Sequence, residues 1–139
     1  AAPVLAAAGL GRLGLADRTR QVFDPQEMLP AAGQGALGIE VRGERAEVAQ
    51  AVAPLSHQAT WLAVAAERAV SRALGGSCSM PLAAHATLQG ELLRLQAAWG
   101  EPEGGPLVRA EGSATVGSVD DAAALGAEVA QRLRAGGAH

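Results

Sequence analysis

The residue best suited to covalent chemistry in this sequence is its single cysteine, Cys78, in the run GGSCSMP over residues 75–81. A lone cysteine is most often a small buried hydrophobe. The small, turn-forming neighbours favour an exposed loop instead, where glycines let a bulky group approach and an ionised sulfur can act as a nucleophile or a covalent anchor. A buried thiol and a reactive one therefore stand as alternatives here.

A glycine pattern near the start, GLGRLG over residues 9–14, matches the G-x-G-x-x-G signature of dinucleotide-binding turns. In such a turn the third glycine opens a long helix that crosses to a parallel strand, yet only a short stretch separates Gly14 from Pro25. A glycine-rich strand-to-helix turn is the competing interpretation. Arg12, inside the pattern, is either a structural ion-pair partner or a clamp for a carboxylate or phosphate.

The other polar residues do not form a recognisable catalytic or metal-binding pattern. His57, His85 and His139 are not spaced for a metal or a triad, and His85 alternates with alanines as expected for a half-exposed strand position. Asp120 and Asp121 fit the first turn of a helix better than a general acid and base. We expect no metal and no disulfide, since one cysteine cannot form an intramolecular bridge.

Composition limits the partners. The chain has 139 residues and a net charge of -3, and its eleven positive charges are all arginine, interspersed with acids. Nucleic-acid binding is not expected without a basic stripe. No apolar run reaches the length of a membrane span and no basic region precedes the apolar start, so we expect neither a membrane span nor a signal peptide, in a chain cut from a longer one. The single cysteine favours a reducing, cytoplasmic compartment. Because alanine dominates the apolar residues, the core must use small side chains.

The C-terminal part has the periodicity of a small α+β domain. A helix is predicted over residues 60–74, with Glu67 on its polar face and Gly75 and Gly76 ending it. Strands are predicted over residues 82–88, 92–99 and 107–115, the first two as a hairpin. Ser118 caps a second helix that stops at residues 136–137. This order predicts a three-stranded antiparallel sheet with both helices on one face.

The N-terminal part reads as pieces of a different unit. Residues 3–8 and 36–42 have the apolar character of buried strands, and residues 44–53 have helical composition that stops at Pro54. The short segment over residues 54–57 is the candidate linker to the C-terminal domain.

Four segments resemble the porphobilinogen deaminase family, also called hydroxymethylbilane synthases. They are residues 5–15, LPAAGQGALGIEVR over 29–42, AERA over 66–69, and LGGSCSMP over 74–81, in the family's order and spacing. The resemblance implies that residues 1–30 end a second, α/β domain, that 31–54 hold the hinge plus a strand and helix returning to the first domain, and that 55–139 form the cofactor-anchoring α+β domain.

The family condenses four porphobilinogens with loss of ammonia into hydroxymethylbilane, through oligopyrrole intermediates on a dipyrromethane cofactor. The resemblance implies that Cys78 holds this cofactor through a thioether and that Arg12 binds its carboxylates or those of the substrate. Gln34 and Gly35 match hinge residues that line the cofactor cleft. It also implies a monomeric full-length enzyme of tetrapyrrole biosynthesis.

The family's catalytic aspartate lies in a part of the family's sequence that this chain does not match. No residue here is therefore assigned that role, and we expect the chain alone to be inactive. Two alternatives stay open: a non-catalytic α+β binding module with a buried cysteine, and a nucleotide-binding fragment that uses residues 9–14.

Overall fold

Two long helices and one sheet carry the fold, in a computed structural model that describes residues 3–77, 79–101 and 103–139. In chain order the elements are α1 (Ala7–Arg12), a 3₁₀ turn (Ala16–Arg18), α2 (Ala46–Val52), a second 3₁₀ turn (Ala53–Leu55), α3 (Gln58–Ala73), β1 (Leu82–Gln89), β2 (Leu92–Trp99), β3 (Val108–Thr115) and α4 (Val119–Ala135).

The three strands form an antiparallel sheet in the order β1-β2-β3, as predicted. The hairpin pairs Gln89 with Leu92 and therefore closes through a two-residue loop. Gly90, the first residue of that loop, has a φ of 61°, a conformation that glycine adopts without strain. β2 then pairs with β3 from Leu92 opposite Thr115 to Trp99 opposite Val108. The predicted α+β architecture is confirmed, with α3 and α4 packed on one face of the sheet.

The core between helices and sheet is built from small and medium aliphatic side chains, as the composition predicted. Leu93 and Leu95 of β2 are fully buried against Val70 of α3 and Val129 and Leu133 of α4, within one apolar cluster. Alanines such as Ala66, Ala84 and Ala97 fill many of the remaining inner positions, so the two helices can approach closely. Burial of this cluster provides the main stabilisation of the C-terminal unit.

Local signals end the long helices where the sequence predicted. Ser118 and Asp121 form a reciprocal capping box at the start of α4, with Asp121 N donating to Ser118 Oγ at 3.1 Å and Ser118 N donating to Asp121 Oδ2 at 3.0 Å. At the end of α3, Gly76 N donates to the Ser71 carbonyl at 2.8 Å, and Gly75 and Gly76 both have positive φ.

The strands predicted at residues 3–8 and 36–42 are wrong for this structure. Residues 7–12 form α1 instead, and residues 36–42 form no strand. A strand exists only by exchanging backbone hydrogen bonds with a neighbour, and the described residues supply none to either segment. Leu37 is consequently 89% exposed. The helix predicted over residues 44–53 is present as α2, but Pro54 is included in the following 3₁₀ turn rather than ending the helix.

Candidate functional site

The loop that carries the cysteine connects the end of α3 to the start of β1. Cys78 itself lies outside the described residues, so its placement is not part of the structure. On its two sides, Ser77 Oγ lies 2.6 Å from Ser79 Oγ, and Ser79 N donates to Ser77 Oγ at 3.1 Å. Ser77 and Ser79 are both exposed. The loop is thus short, tightly turned at its flanks and open to solvent there.

Gln34 and Gly35 lie in a second turn, which packs against the C-terminal unit. Gln34 N donates to the Ala31 carbonyl at 3.0 Å, and Gly33 and Gly35 have φ values of 76° and 84°. Both glycines occupy the left-handed region, which side chains with a Cβ rarely adopt. Ala32 packs against the edge of the core. We call residues 30–35 the hinge turn.

The hinge turn runs along the free edge of β1. Among the described strands β1 pairs only with β2, so the outward-pointing backbone N–H groups on its other edge need acceptors. The carbonyl of Pro30 accepts from Ala84 N at 3.0 Å. Two residues further along, Oε1 of Glu67 accepts from Ala86 N at 2.7 Å. The hinge turn and one carboxylate thus satisfy two neighbouring N–H groups of this edge.

Glu67 also holds the hinge turn directly. Its second oxygen, Oε2, accepts from the backbone N–H of Gly33 at 2.7 Å. The sequence placed Glu67 on the polar face of its helix, and that expectation is wrong, because the residue is only 6% exposed. A buried carboxylate requires hydrogen-bond donors to offset its lost hydration. The backbone N–H groups of Gly33 and Ala86 are these donors. Both lie outside α3, so the periodicity of the helix alone does not reveal them.

Arg12 lies at the C-terminal end of α1 and is exposed. In the described chain, α1 packs only against the 3₁₀ turn that follows it. Among the described residues, no hydrogen bond or ion pair joins the Arg12 side chain to the hinge turn or to the flanks of the cysteine loop. Its position at the end of a helix leaves the guanidinium free to reach an anion from solvent.

The dinucleotide-binding alternative does not fit the geometry. Gly9 and Gly11 lie inside α1, a helix of six residues, and Gly14 follows it with a φ of 68°. In residues 3–77 no strand precedes this helix, and the helix is too short to cross back to one. The strand-turn-long-helix arrangement that cradles a pyrophosphate is thus not formed.

His85 occupies a half-buried strand position, as predicted, with Nδ1 3.8 Å from Oε1 of Glu67. Among the described residues, no three His, Cys, Asp or Glu side chains are grouped so that they could hold a metal ion. Within the same residues, the helices are all too short or too polar to cross a membrane.

A shallow cavity of about 750 Å³ lies on the sheet face that the helices leave open. His85, Arg94, Gln96, Glu111 and Asp24 contribute to its polar lining. Neither Arg12 nor the hinge turn lines it, and its mixed charges do not select one kind of ligand. Of the described candidates, Gln34 and Gly35 directly follow Gly33, which donates to Glu67 on the helix that leads into the cysteine loop, whereas Arg12 has no such link.

The sequence matches two family models in sequential order. Residues 1–50 match the description "Porphobilinogen deaminase, dipyromethane cofactor binding domain", and residues 61–135 match "Porphobilinogen deaminase, C-terminal domain". The second match contains Cys78, whereas the first contains Arg12, Gln34 and Gly35.

Curated relatives extend the likeness over nearly the whole chain. A porphobilinogen deaminase of Albidiferax ferrireducens is 64% identical over 136 residues, which cover 97% of this chain and 43% of that protein. One from Ralstonia nicotianae is 56% identical over 140 residues, covering 100% and 42%, and one from Paraburkholderia phytofirmans is 55% identical over 138 residues, covering 99% and 40%. The chain therefore spans about two fifths of the length of these relatives.

Proposed function

The chain belongs to the porphobilinogen deaminase family, and from this premise we propose that it is the part of a hydroxymethylbilane synthase that carries the cofactor tether. The activity is the stepwise condensation of four porphobilinogens, with loss of ammonia at each step, in tetrapyrrole biosynthesis. The proposed cofactor is a dipyrromethane, which would supply the free pyrrole carbon that accepts the first unit, and each later unit would add to the terminal pyrrole of the growing chain. We propose that the whole protein acts in the cytoplasm as a monomer without nucleic-acid or membrane partners.

Cys78 is the proposed tether. The thiolate sulfur is a nucleophile able to form a thioether to a pyrrolic methylene group while ammonia leaves. The observation that best supports this role is the exposure of Ser77 and Ser79, the two sequence neighbours of Cys78, inside the segment that matches the family's C-terminal domain. The alternative of a binding module with a buried cysteine has no comparable support, because the described neighbours Ser77 and Ser79 are exposed.

The N-terminal residues are proposed to contribute to the cofactor cleft. Residues 1–50 match the domain whose description names the cofactor. Arg12 would bind an acetate or propionate carboxylate through its paired N–H donors, and Gln34 and Gly35 would line the cleft at the hinge. We divide the chain accordingly into residues 1–30, 31–54 and 55–139, the last being the anchoring domain.

An assay for hydroxymethylbilane tests this function. The protein as made in the cell, incubated with porphobilinogen, should consume it and release the linear tetrapyrrole. Cys78→Ser should abolish this turnover, because an oxygen in place of sulfur cannot form the thioether. Ser113→Ala, on the exposed sheet face, is the control and should retain full activity. Full turnover in Cys78→Ser would refute the proposed tether, and no turnover in the unaltered protein would refute the function.

A further inference from the structure

Glu67 is the one charged side chain that is buried among the described residues, and the chemistry proposed above does not use it. Its two oxygens accept from two backbone N–H groups that are distant in sequence, Gly33 and Ala86, both at 2.7 Å. Such a convergence is specific to a carboxylate. Each oxygen can accept, whereas an amide offers one acceptor and one donor group.

In the sequence, the donor Gly33 lies before the cysteine loop and the donor Ala86 lies after it. Glu67 itself lies on α3, which runs into the loop, and Ala86 lies on β1, which leaves it. Gly33 immediately precedes Gln34 and Gly35 in the hinge turn. One side chain thus joins the element before the loop, the element after it and the hinge turn.

We propose that Glu67 is a positioning residue that fixes the hinge turn relative to the cysteine loop. The inference rests on the proposed function, because the roles of Cys78 and of Gln34 come from it. A growing chain tethered at Cys78 must be accommodated next to the hinge at every addition. A change in the distance between tether and hinge will therefore affect the later additions most, when the attached chain is longest.

The hinge turn has few other attachments to the C-terminal unit. The Pro30 carbonyl accepts from Ala84 N, and Ala32 packs at the margin of the core. Gly33 makes no side-chain contact of its own, since it has no side chain. The hinge turn is joined to the C-terminal unit by the hydrogen bonds at Pro30 and at Gly33. The Gly33 bond, to Glu67, is the one closer in sequence to Gln34 and Gly35.

Glu67→Gln separates positioning from folding because it keeps the size of the side chain. Its single carbonyl oxygen can satisfy only one of the two donors, and the sheet holds Ala86 in place, so the bond to Gly33 is the one lost. In the chain as given, amide exchange at Gly33 should accelerate about tenfold or more. Exchange at Leu95, in the buried centre of the sheet, should stay unchanged. Glu128→Gln, an exposed position on α4, is the matched control and should alter neither amide.

The functional readout uses the protein as made in the cell: the distribution of pyrrole adducts on it is measured by mass, after a limited dose of porphobilinogen and denaturation. Glu67→Gln should accumulate adducts with several added units relative to the unaltered protein. A purely structural role would lower the amount of active protein and leave this distribution the same. An unchanged distribution, or unchanged exchange at Gly33, would overturn the inference.

Two further outcomes keep the test decisive. If Glu67→Gln does not fold, Glu67→Asp takes its place, since it keeps the charge but is too short to reach both donors. Faster exchange at Gly33 with Leu95 still protected would support the inference, and equal protection of both would overturn it. If the unaltered protein carries no dipyrrole, the proposed function is refuted, whatever the Glu67 variants do. If it does carry one and the Glu67 variants behave like it, only the positioning role fails.

Discussion

Gly126 of α4 lies so close to Ala66 of α3 that a Cβ atom at Gly126 would stand 2.3 Å from the Ala66 carbonyl oxygen. The same atom would lie 2.6 Å from Cβ of Ala69. Both distances are well inside van der Waals contact, and the first involves backbone, which cannot rotate away. The close approach of the two helices therefore depends on a hydrogen atom at this position.

Gly126→Ala should destabilise the protein although alanine is the better helix former. The gain in helix propensity is about 1 kcal/mol, whereas separating two packed helices costs about 1–3 kcal/mol. Urea unfolding should therefore show a lower midpoint. Gly9→Ala is the control, because a Cβ there meets nothing within 4 Å. A Gly126→Ala variant as stable as the unaltered protein would show that the helices are further apart than described.

Ser118→Ala should lower the free energy of unfolding by about 1 kcal/mol, the usual worth of an N-cap hydroxyl. The hydroxyl accepts from Asp121 N, and without it one of the orphan N–H groups of α4 has no partner. Equilibrium urea unfolding measures the change. An unaltered midpoint would mean that water replaces the hydroxyl without loss.

The other half of the capping box should make stability depend on acid. The hydrogen bond with the Ser118 hydroxyl, and then those from the backbone N–H groups of Gly117 and Ser118, lower the pKa of Asp121 below its ordinary value of 3.8. A carboxyl group with a lowered pKa in the folded state stabilises that state above its ordinary pKa. This contribution is lost as the pH falls through the folded-state value.

Comparison of the unaltered protein with Asp121→Ala over a pH series measures this contribution. The difference in unfolding free energy should be constant near neutral pH, begin to shrink near pH 3.8, and reach a lower plateau in stronger acid. Asp120→Ala, in the same helical turn, is the matched control. A difference that grows on acidification would contradict the assigned direction of the pKa shift.

Hydrogen exchange should divide the chain into a protected and an unprotected part. Residues from about 58 to 138 form the helix-and-sheet unit, so their amides should exchange slowly, whereas residues 37–41 make no backbone hydrogen bond with the other described residues and should exchange fast. The chain as given should also show no conversion of porphobilinogen, because no residue in it is assigned the family's catalytic role. Uniform protection from residue 3 onward would contradict this division, and bilane production would place the catalytic chemistry within the chain.

Arg12→Lys should weaken cofactor assembly or chain elongation in the protein as made in the cell. Lysine keeps the charge but loses the paired N–H donors, at a cost of about 1–3 kcal/mol for each charge-assisted hydrogen bond lost. Cofactor content and the rate of bilane formation measure the effect. Arg20→Lys, also exposed, is the matched control. Full activity in Arg12→Leu would limit Arg12 to a structural role.

The elements that could be predicted from sequence are those whose partners lie nearby in the chain. The periodicity of α3 and α4, the caps at Ser118 and Gly76, and the hairpin at Gly90 are all local signals, and each was confirmed. Residues 36–42 have the composition of a strand, but composition does not supply the neighbour that a strand must pair with.

The candidate site was less predictable. Glu67 was placed on the solvent side of α3 because it is charged, and its burial depends on N–H groups 34 and 19 residues away. The sequence did contain a signal for this burial. Glu67 directly follows the buried Ala66 and lies in AERA over residues 66–69, one of the four segments that resemble the family. Cys78, Arg12, Gln34 and Gly35 were identified through that resemblance, and their roles stay predictions.

The most direct test of the account is a tryptic map of the protein purified from cells. Trypsin cleaves after Arg72 and Arg94, so Cys78 falls in the peptide of residues 73–94. We expect this peptide alone to carry the added mass of a dipyrrole, and the Cys78→Ser protein to lack that mass throughout. An unmodified peptide 73–94 from active enzyme, or the added mass retained in Cys78→Ser, would contradict the assignment of Cys78 as the cofactor tether.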